Sequence, residues 1–211
     1  MAASEQIQGN PILKNIFIIN YLKVNIKSLT SRTHAGKLIS DIFSLTQPLD
    51  GTFKTPTIEN LIGCDVVFFA TPNGIAMNMA EGLISKGIRV IDISADFRIR
   101  DVKVWEEWYA KKHASPALLS QSIYGLPEIP GQKSKIRDAL IVANPGCYPT
   151  ASLLGLLPIC NSLEKQKIIV DAKSGISGAG RNLDSTKLFP EGKDNFQAYA
   201  VETHRHYPEM L

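Results

Sequence analysis

One cysteine stands at the start of a predicted helix, in a setting that suits nucleophilic chemistry. Residues 144–150 (NPGCYPT) follow an apolar run and precede a helical stretch at 151–157. Gly146 permits a sharp turn, and Pro149 suits a first helical turn. The N–H groups and dipole of a helix start stabilise a thiolate and can hold an oxyanion formed on an attacked carbonyl. We therefore predict that Cys147 is a nucleophile for acyl-group chemistry; a buried structural cysteine is the alternative.

Two histidines near the end of the sequence suit such a nucleophile. Residues 202–209 (ETHRHYPE) contain His204, His206 and Glu209. Histidine titrates in the range useful for proton transfer, and a carboxylate commonly orients the imidazole. We predict that one of the two histidines is the acid/base and that Glu209 is the orienting carboxylate; the residues do not decide which histidine. A polar loop is the alternative, and no third ligand for a metal is evident, so no metal is expected.

A glycine-rich loop is a candidate site for an anion. Residues 174–181 (SGISGAGR) follow another apolar run, and their glycines let backbone N–H groups approach a ligand. Arg181 adds a bidentate donor for phosphate or carboxylate. The spacing matches a dinucleotide fingerprint only loosely, so a flexible turn fits these residues equally well.

Apolar runs alternate with helical patterns along the chain, which indicates a doubly wound, mostly parallel α/β sheet. Strands are predicted at residues 24–29, 65–70, 89–93, 140–143 and 167–172. Helices are predicted after Gly36, with Leu38, Ile39, Ile42 and Phe43 on one face, and at 75–85 and 151–157; residues 11–22 fit either a helix or a strand. Ligands bind beyond the carboxyl ends of strands in such sheets, so the polar residues at those ends become the candidate site.

Two of these strand ends carry informative polar groups. Ser31 and Arg32 follow the strand at 24–29, which would be the second strand of a nucleotide-binding fold; an arginine there suits the additional phosphate of NADP, and a surface arginine is the alternative. Another strand ends in Asp92, Asp96 and Arg98, which could simply pair with one another.

Composition narrows the class of protein. The 211 residues are 44% hydrophobic and 20% charged, which is ordinary for a globular protein with a core. The net charge of +3, without a basic tract, suits small anions and does not argue for nucleic acid. The longest apolar run, residues 66–70, is too short for a membrane span, and the polar start lacks a signal-peptide core. Three cysteines without zinc spacing fit a reducing compartment, so we expect a cytoplasmic protein.

Several short segments occur in a fixed order from about Val24 to the end of the sequence. They read LTSRTHAGK, FFATPNG, VIDISADFR, YGLPEI, ANPGCYPTA, KSGISGAGR and ETHRHYPE. Together they resemble the N-acetyl-γ-glutamyl-phosphate reductase family of the semialdehyde dehydrogenase superfamily. The resemblance implies a Rossmann-like NADP-binding domain at 1–146, followed by the start of an α+β catalytic and dimerisation domain at 147–211.

The resemblance also implies a reaction and a set of contacts. Cys147 attacks the acyl phosphate of N-acetyl-glutamyl phosphate, and NADPH reduces the thioester to the semialdehyde, a step of arginine biosynthesis. One histidine is the acid/base and the other contacts substrate, in a protein expected to form homo-oligomers. The implied cofactor contacts are Ser31, Arg32, Thr71, Pro72, Ser94, Ser177, Gly178, Ala179 and Gly180, and the implied substrate contacts are Asn144, Arg181 and Arg205.

Two departures from the family pattern are expected to matter. The family's first strand and its glycine-rich turn are expected to be missing, with Ala2, Ala3, Ser4 and Gly9 at best a remnant. The sequence also stops sooner than the family pattern does, so we expect an exposed apolar face.

Other functions stay open on the sequence. One is a related reductase for aminoadipyl or aspartyl phosphate, although the His-Arg-His segment favours the glutamyl substrate. Another is a non-catalytic remnant of the family. A cysteine hydrolase, which needs a cysteine and a histidine but no nucleotide, is disfavoured by Arg32 and by the nucleotide-type sheet.

Overall fold

The protein is built around a parallel β-sheet. The computed structural model describes residues 2–5, 24–42, 50–163, 167–175, 178 and 196–211. The sheet has six strands, and every described pairing between them is parallel. The strands are β1 (Ala2–Glu5), β2 (Ser28–Ser31), β3 (Val66–Ala70), β4 (Arg89–Asp92), β5 (Ser122–Tyr124) and β6 (Ile141–Ala143).

The order of the strands places a switch point at β1. The order is β2-β1-β3-β4-β6-β5, so the chain leaves β1 in one direction for β2 and then returns to its other side for β3. The crevice outside the carboxyl ends of strands at such a point is where ligands bind in open α/β sheets. The doubly wound parallel sheet predicted from the apolar runs is therefore confirmed.

The expected loss of the first strand is wrong. Ala2–Glu5 forms β1, and Ala3 pairs with Leu29 on one side and with Phe68 on the other. The segment lacks the β-branched residues by which the other strands were recognised, and backbone pairing with two neighbours defines it instead. The turn that follows β1 lies outside the described residues.

Helices flank the sheet. They are α1 (Ile39–Ile42), α2 (Ala76–Ile84), α3 (Val102–Tyr109), α4 (Pro116–Leu119), α5 (Gln132–Asp138), α6 (Cys147–Leu156) and α7 (Tyr207–Met210). Helix α3 illustrates how the sequence sets its limits. The Asp101 carboxylate accepts hydrogen bonds from the N–H groups of Lys103 and Val104 at the start, and Ala110 ends the helix in the left-handed region at φ 50°.

The main apolar core of the described residues lies against the sheet, and a smaller cluster contains Ile39 and Phe53. The largest fully buried side chains of the main core include Trp105, Phe69 and Phe97. Cys64 is buried at its margin, as expected for a structural cysteine. The predicted strands at 65–70, 89–93 and 140–143 and the predicted helix at 75–85 are confirmed within a few residues.

Other sequence predictions need correction or lie outside the described residues. The second strand begins at Ser28, so residues 24–27 precede it. Helix α1 buries Ile39, whereas Leu38 lies half exposed in an isolated bridge to Thr52. Residues 11–22 and Phe43 are outside the described residues.

The segment after β6 differs in character from the sheet. Helix α6 continues into a 3-10 turn at Leu157–Ser162, where Cys160 is exposed rather than buried. The strand predicted at 167–172 is wrong: the segment is irregular, and Ile169 is 92% exposed. An apolar run needs neighbouring strands to become part of a sheet, and none of the described residues pairs with this one. No described helix combines the length and apolar character needed to cross a bilayer.

Candidate active site

Cys147 lies at the first position of α6, at the carboxyl edge of the sheet. Its side chain is exposed and its thiol is free. Gly146 precedes it in an extended conformation, and the Gly146 carbonyl accepts hydrogen bonds from the Thr150 N–H (3.0 Å) and hydroxyl (2.8 Å). The first N–H groups of a helix have no partner within that helix. The cysteine is therefore accessible and lies beside backbone donors that suit an oxyanion.

The imidazole of His206 packs directly against Gly146. A Cβ placed on Gly146 would lie 2.5 Å from His206 Nε2, so the contact requires glycine at this position. The His206 Nδ1 atom is buried and has no hydrogen-bond partner among the described residues. Burial, followed by the charges of Arg98, His204 and Arg205, lowers the pKa of His206 to about 4. His206 is therefore a neutral imidazole at pH 7, and it contacts the residue immediately before the cysteine.

His204 lies in a second layer behind His206. The two ring centroids are 4.9 Å apart, and the His206 N–H donates to His204 Nδ1 at 3.2 Å. Burial and the Arg205 charge lower the pKa of His204. His204 Nε2 lies 3.4 Å from the hydroxyl of Tyr199. Of the two histidines that the sequence left undecided, His206 is the one in contact with the residue before Cys147.

Two tyrosines that no sequence motif singles out border the same site. The Tyr148 and Tyr199 hydroxyls are 2.8 Å apart, and the Tyr148 ring makes edge contacts with both imidazoles. Burial, the Tyr148 hydroxyl and the nearby Cys147 raise the pKa of Tyr199 to about 12. The Tyr199 hydroxyl therefore remains protonated at neutral pH, and the two hydroxyls form a polar wall beside the cysteine.

The Glu209 carboxylate occupies a different position from the predicted one. Its Oε1 atom accepts hydrogen bonds from the Gly146 N–H (2.7 Å) and from the Tyr124 hydroxyl (2.8 Å). Its Oε2 atom pairs with Arg98 at 3.4 Å, and the side chain is only 1% exposed. These contacts hold the turn before Cys147, and Glu209 makes no hydrogen bond to either imidazole among the described contacts.

Arg98 was not predicted as a site residue. It donates through Nε to the Asn144 carbonyl (2.7 Å) and through Nη2 to the Ile93 carbonyl (3.0 Å), in addition to its ion pair with Glu209. It therefore joins the ends of β4 and β6 to helix α7. The expected pairing of Arg98 with Asp96 does not form among the described contacts, although the Arg98 charge acts on Asp92. The only sequence signal for this role is its place just after a predicted strand.

Asp92 and Asp96 instead organise the loop after β4. Asp92 accepts from the Ser94 N–H, the Ser94 hydroxyl and the Phe97 N–H. Asp96 accepts from Gly74 N–H (2.6 Å) and Met77 N–H (3.0 Å), and so caps the start of α2. Burial, together with the Asp92 charge, raises the pKa of Asp96 to about 7.

The strand ends predicted to bind a nucleotide lie together at the β2–β1–β3 switch point. Arg32 is exposed just beyond β2, and Ser31 is buried with its hydroxyl accepting from the His34 N–H. Thr71 follows β3, and its buried hydroxyl has no hydrogen-bond partner among the described residues. An unsatisfied hydroxyl and an exposed arginine, at the ends of the strands on either side of β1, suit the ribose and phosphate groups of a dinucleotide. Pro72 follows Thr71 in the sequence. The Ser94 hydroxyl donates a hydrogen bond to the Asp92 carboxylate.

The remaining predicted residues are only partly placed. Ser177, Ala179, Gly180 and Arg181 lie outside the described residues, and Gly178 is exposed with its N–H donating to the Gly175 carbonyl. Arg205 is exposed and stacks over the Tyr109 ring at 5.7 Å. The Asn144 side chain donates to the Pro145 carbonyl. No group of three or more His, Cys, Asp or Glu side chains in the described ranges is arranged to hold a metal ion.

The parallel sheet, its switch point and the polar strand ends define a Rossmann-like fold with a cysteine–histidine site at its carboxyl edge. Residues 17–139 match the family profile described as "Semialdehyde dehydrogenase, NAD binding domain", and residues 147–211 match "Semialdehyde dehydrogenase, dimerisation domain". Since the first match covers more than half of the chain, the chain belongs to the semialdehyde dehydrogenase family.

About half of the aligned residues are identical between this chain and its curated relatives. It is 52% identical over 191 residues to N-acetyl-gamma-glutamyl-phosphate reductase of Aromatoleum aromaticum, a match that covers 89% of this chain and 55% of the relative. The protein of the same name from Nitrosospira multiformis is 50% identical over 191 residues, with the same coverage. The chain thus spans about half the length of the curated relatives that it matches.

Solved structures support the fold. Aspartate semialdehyde dehydrogenase II of Vibrio cholerae, complexed with ASA, superposes with a TM-score of 0.51 at 17% identity, over 76% of this chain and 46% of that one. Aspartate semialdehyde dehydrogenase of Candida albicans with NADP gives a TM-score of 0.52 at 16% identity, over 76% and 47%.

Proposed function

We propose that the chain carries out the NADPH-dependent reduction of N-acetyl-L-glutamyl 5-phosphate to the 5-semialdehyde and phosphate, through a thioester on Cys147. The observation that carries the proposal is an exposed cysteine at a helix start, with the neutral imidazole of His206 against the preceding residue. The names of the curated relatives supply the substrate. We also propose a division into a nucleotide-binding domain at 1–146 and the start of a catalytic domain at 147–211.

The acyl transfer uses groups of this chain alone. His206 accepts the proton of the Cys147 thiol, for which its lowered pKa keeps it unprotonated at neutral pH. The sulfur then attacks the acyl carbon, a C–S bond forms, and the C–O bond to phosphate breaks, so that phosphate leaves. Backbone N–H groups at the start of α6 stabilise the oxyanion formed on the way. Arg205, Arg181 and Asn144 are the proposed contacts for the substrate's phosphate and carboxylate.

The reductive half of the reaction needs a nicotinamide cofactor. NADPH, when bound, supplies the hydride that converts the thioester to the semialdehyde. Arg32 and Thr71 are the proposed contacts for its ribose and phosphate groups, and Ser31, Pro72 and residues 177–180 complete the proposed set. Ser94 contributes through the shape of its loop, because its hydroxyl is bound to Asp92. His206 retains the proton taken from the thiol and can return it to the sulfur as the product leaves.

The wider setting follows from the same proposal. The reaction belongs to arginine biosynthesis, takes place in the cytoplasm and is carried out by a homo-oligomer, for which the dimerisation-domain profile provides support.

The proposal is tested with NADPH oxidation in the presence of N-acetyl-glutamyl phosphate. We expect Cys147→Ser to lower turnover by about a thousandfold or more, because the whole covalent route is lost. Cys160→Ser is the matched control, since that thiol is also exposed and free, and its turnover should be unchanged. Full turnover in Cys147→Ser would remove the thioester mechanism. Faster turnover with aspartyl or aminoadipyl phosphate would correct the substrate, and no NADPH binding at millimolar cofactor would favour a non-catalytic remnant.

A further inference from the structure

We propose that Tyr124 is a positioning residue for Cys147, and that it acts through the carboxylate of Glu209. The inference rests on the proposed function, because it concerns the thiol that forms the thioester. Tyr124 does not touch the cysteine itself. It belongs to β5, the strand at one edge of the sheet, and lies 85 positions before Glu209 in the chain.

The fold brings the Tyr124 hydroxyl to the turn that carries the cysteine. Tyr124 ends β5, which pairs with β6, and β6 leads directly into that turn. The Gly125 N–H donates to the Ala143 carbonyl at 2.8 Å, and the Gln132 side chain donates to the Tyr124 carbonyl at 2.8 Å. The backbone of Tyr124 is therefore fixed on both sides, and its ring projects from a rigid strand end.

A single carboxylate oxygen connects the tyrosine to the turn. Glu209 Oε1 accepts from the Tyr124 hydroxyl at 2.8 Å and from the Gly146 N–H at 2.7 Å, while Oε2 faces Arg98. Burial and the neighbouring carboxylate raise the pKa of Tyr124, so its hydroxyl remains a donor across the working pH range. Hydrogen bonds to a charged acceptor are roughly twice as strong as neutral ones.

The same carboxylate holds the turn on which the His206 imidazole rests. Glu209 follows His206 by three residues in the same short segment, and the imidazole rests on Gly146, whose N–H Glu209 holds. The hydroxyl of Tyr124 thus fixes the carboxylate that keeps the histidine and the cysteine turn in register. Loss of the Tyr124 hydroxyl should change the distance between the Cys147 thiol and the His206 imidazole. Such a change affects the acylation rate more than substrate binding.

The test uses Tyr124→Phe, which removes one hydroxyl and keeps the ring. Two rates are measured: alkylation of Cys147 by iodoacetamide, followed by mass spectrometry, and phosphate release in a single turnover without NADPH. We expect both to fall about tenfold, the size expected for one hydrogen bond to a charged group, with KM and the melting temperature little changed. Tyr207→Phe is the matched control, because that exposed ring packs on Trp108 and both rates should stay as in the wild type.

A double-mutant cycle shows whether the effect passes through Glu209. The combination of Tyr124→Phe with Glu209→Gln should slow alkylation little more than Glu209→Gln alone, because the hydroxyl has lost its charged acceptor. Fully additive effects, or an unchanged alkylation rate in a folded Tyr124→Phe, would overturn the proposal. Alkylation does not depend on the acyl phosphate or on NADPH. Slower alkylation in a chain that never oxidises NADPH would therefore retain the positioning role while the proposed function fails.

Discussion

The sheet region, residues 24–146, and the region from 147 onward bury their apolar side chains to very different extents. Val67, Phe69 and Val90 in the sheet are fully buried, whereas Ile169 is 92% and Val201 83% exposed. Single apolar side chains are therefore strongly exposed in the described part of the region from 147 onward. The buried apolar side chains lie in the sheet region, whereas the proposed catalytic side chains belong to a region that contributes little to that core.

Contacts between the two regions concentrate at the candidate site. Glu209 pairs with Arg98 and Tyr124, Tyr207 packs on Trp108, and Arg205 lies over Tyr109. All three contacting residues belong to the ETHRHYPE segment. The segment that carries the histidines is therefore held by the same contacts that shape the site. Losing these contacts should affect both the stability of the chain and its chemistry.

The largest difference between the regions is expected when one aromatic ring is removed from each of them. Phe69→Ala removes a fully buried ring and should lower the free energy of unfolding by about 3–5 kcal/mol, measured by urea denaturation. Phe196→Ala removes a ring that is 80% exposed, and the change should stay within about 0.5 kcal/mol. Comparable losses in the two variants would contradict the assignment of the core to the sheet region.

Breaking the ion pair between the regions should have the next largest effect. Arg98→Met leaves the Glu209 carboxylate buried without its cation, which should lower the free energy of unfolding by about 3 kcal/mol. The exposed pair of Arg137 and Asp138 provides the control, and Arg137→Met should change stability by less than about 0.5 kcal/mol. Equal effects of the two substitutions would show that the buried pair is not needed to hold the regions together.

The two regions should respond to pH in opposite directions. The pKa of His206 falls from 6.5 to about 4 in the folded chain, so the unfolded chain binds more protons between these values and stability is lost as pH falls from about 6.5 to about 4. The pKa of Asp96 rises from 3.8 to about 7, so the folded chain retains a proton there and stability is lost as pH rises through that range.

Urea midpoints between pH 4.5 and 7.5 separate these contributions. His206→Gln should lose less stability than the wild type on acidification, and Asp96→Asn should lose less as the pH is raised. Parallel pH profiles for the wild type and His206→Gln would contradict the neutral buried imidazole on which the proposed acid/base role depends.

The smallest predicted difference concerns backbone strain at alanines with positive φ. Ala110 ends α3 at φ 50°, a conformation that glycine adopts without penalty, so Ala110→Gly should raise the free energy of unfolding by up to about 1 kcal/mol. Ala200 has φ 46° in the region after the sheet, and Ala200→Gly should leave the cooperative melt unchanged. A stabilising effect of Ala200→Gly would show that this region melts together with the core.

Local patterns in the sequence predict four of the six described strands, β2, β3, β4 and β6, from short apolar runs, and α2 from its helical spacing. Strand β5 and helices α3, α4 and α5 have no counterpart among the predicted elements. Strand β1 was missed and a strand at 167–172 was wrongly predicted, for related reasons. Four residues with weak strand propensity become a strand when they lie between two others, and an apolar run without such neighbours does not.

The candidate site was predictable only where its chemistry is local in sequence. Cys147 stands out by its helix start, and the histidines by their spacing. Arg98 and Tyr124 do not stand out in the sequence, because Arg98 is 111 positions and Tyr124 85 positions away from Glu209. A surface arginine or tyrosine would have the same local sequence pattern. Glu209 was singled out but given the wrong partners, since the sequence does not show that the turn at Gly146 lies nearer to it than the imidazoles do.

The fit of His206 on Gly146 limits how the site can be re-engineered for bulkier acyl groups. The spacing between imidazole and helix is set there by main-chain atoms, and even one methyl group would push them apart. Room for a longer substrate is therefore better made at Tyr199, whose ring contacts His204, than at Tyr148, whose ring contacts both imidazoles.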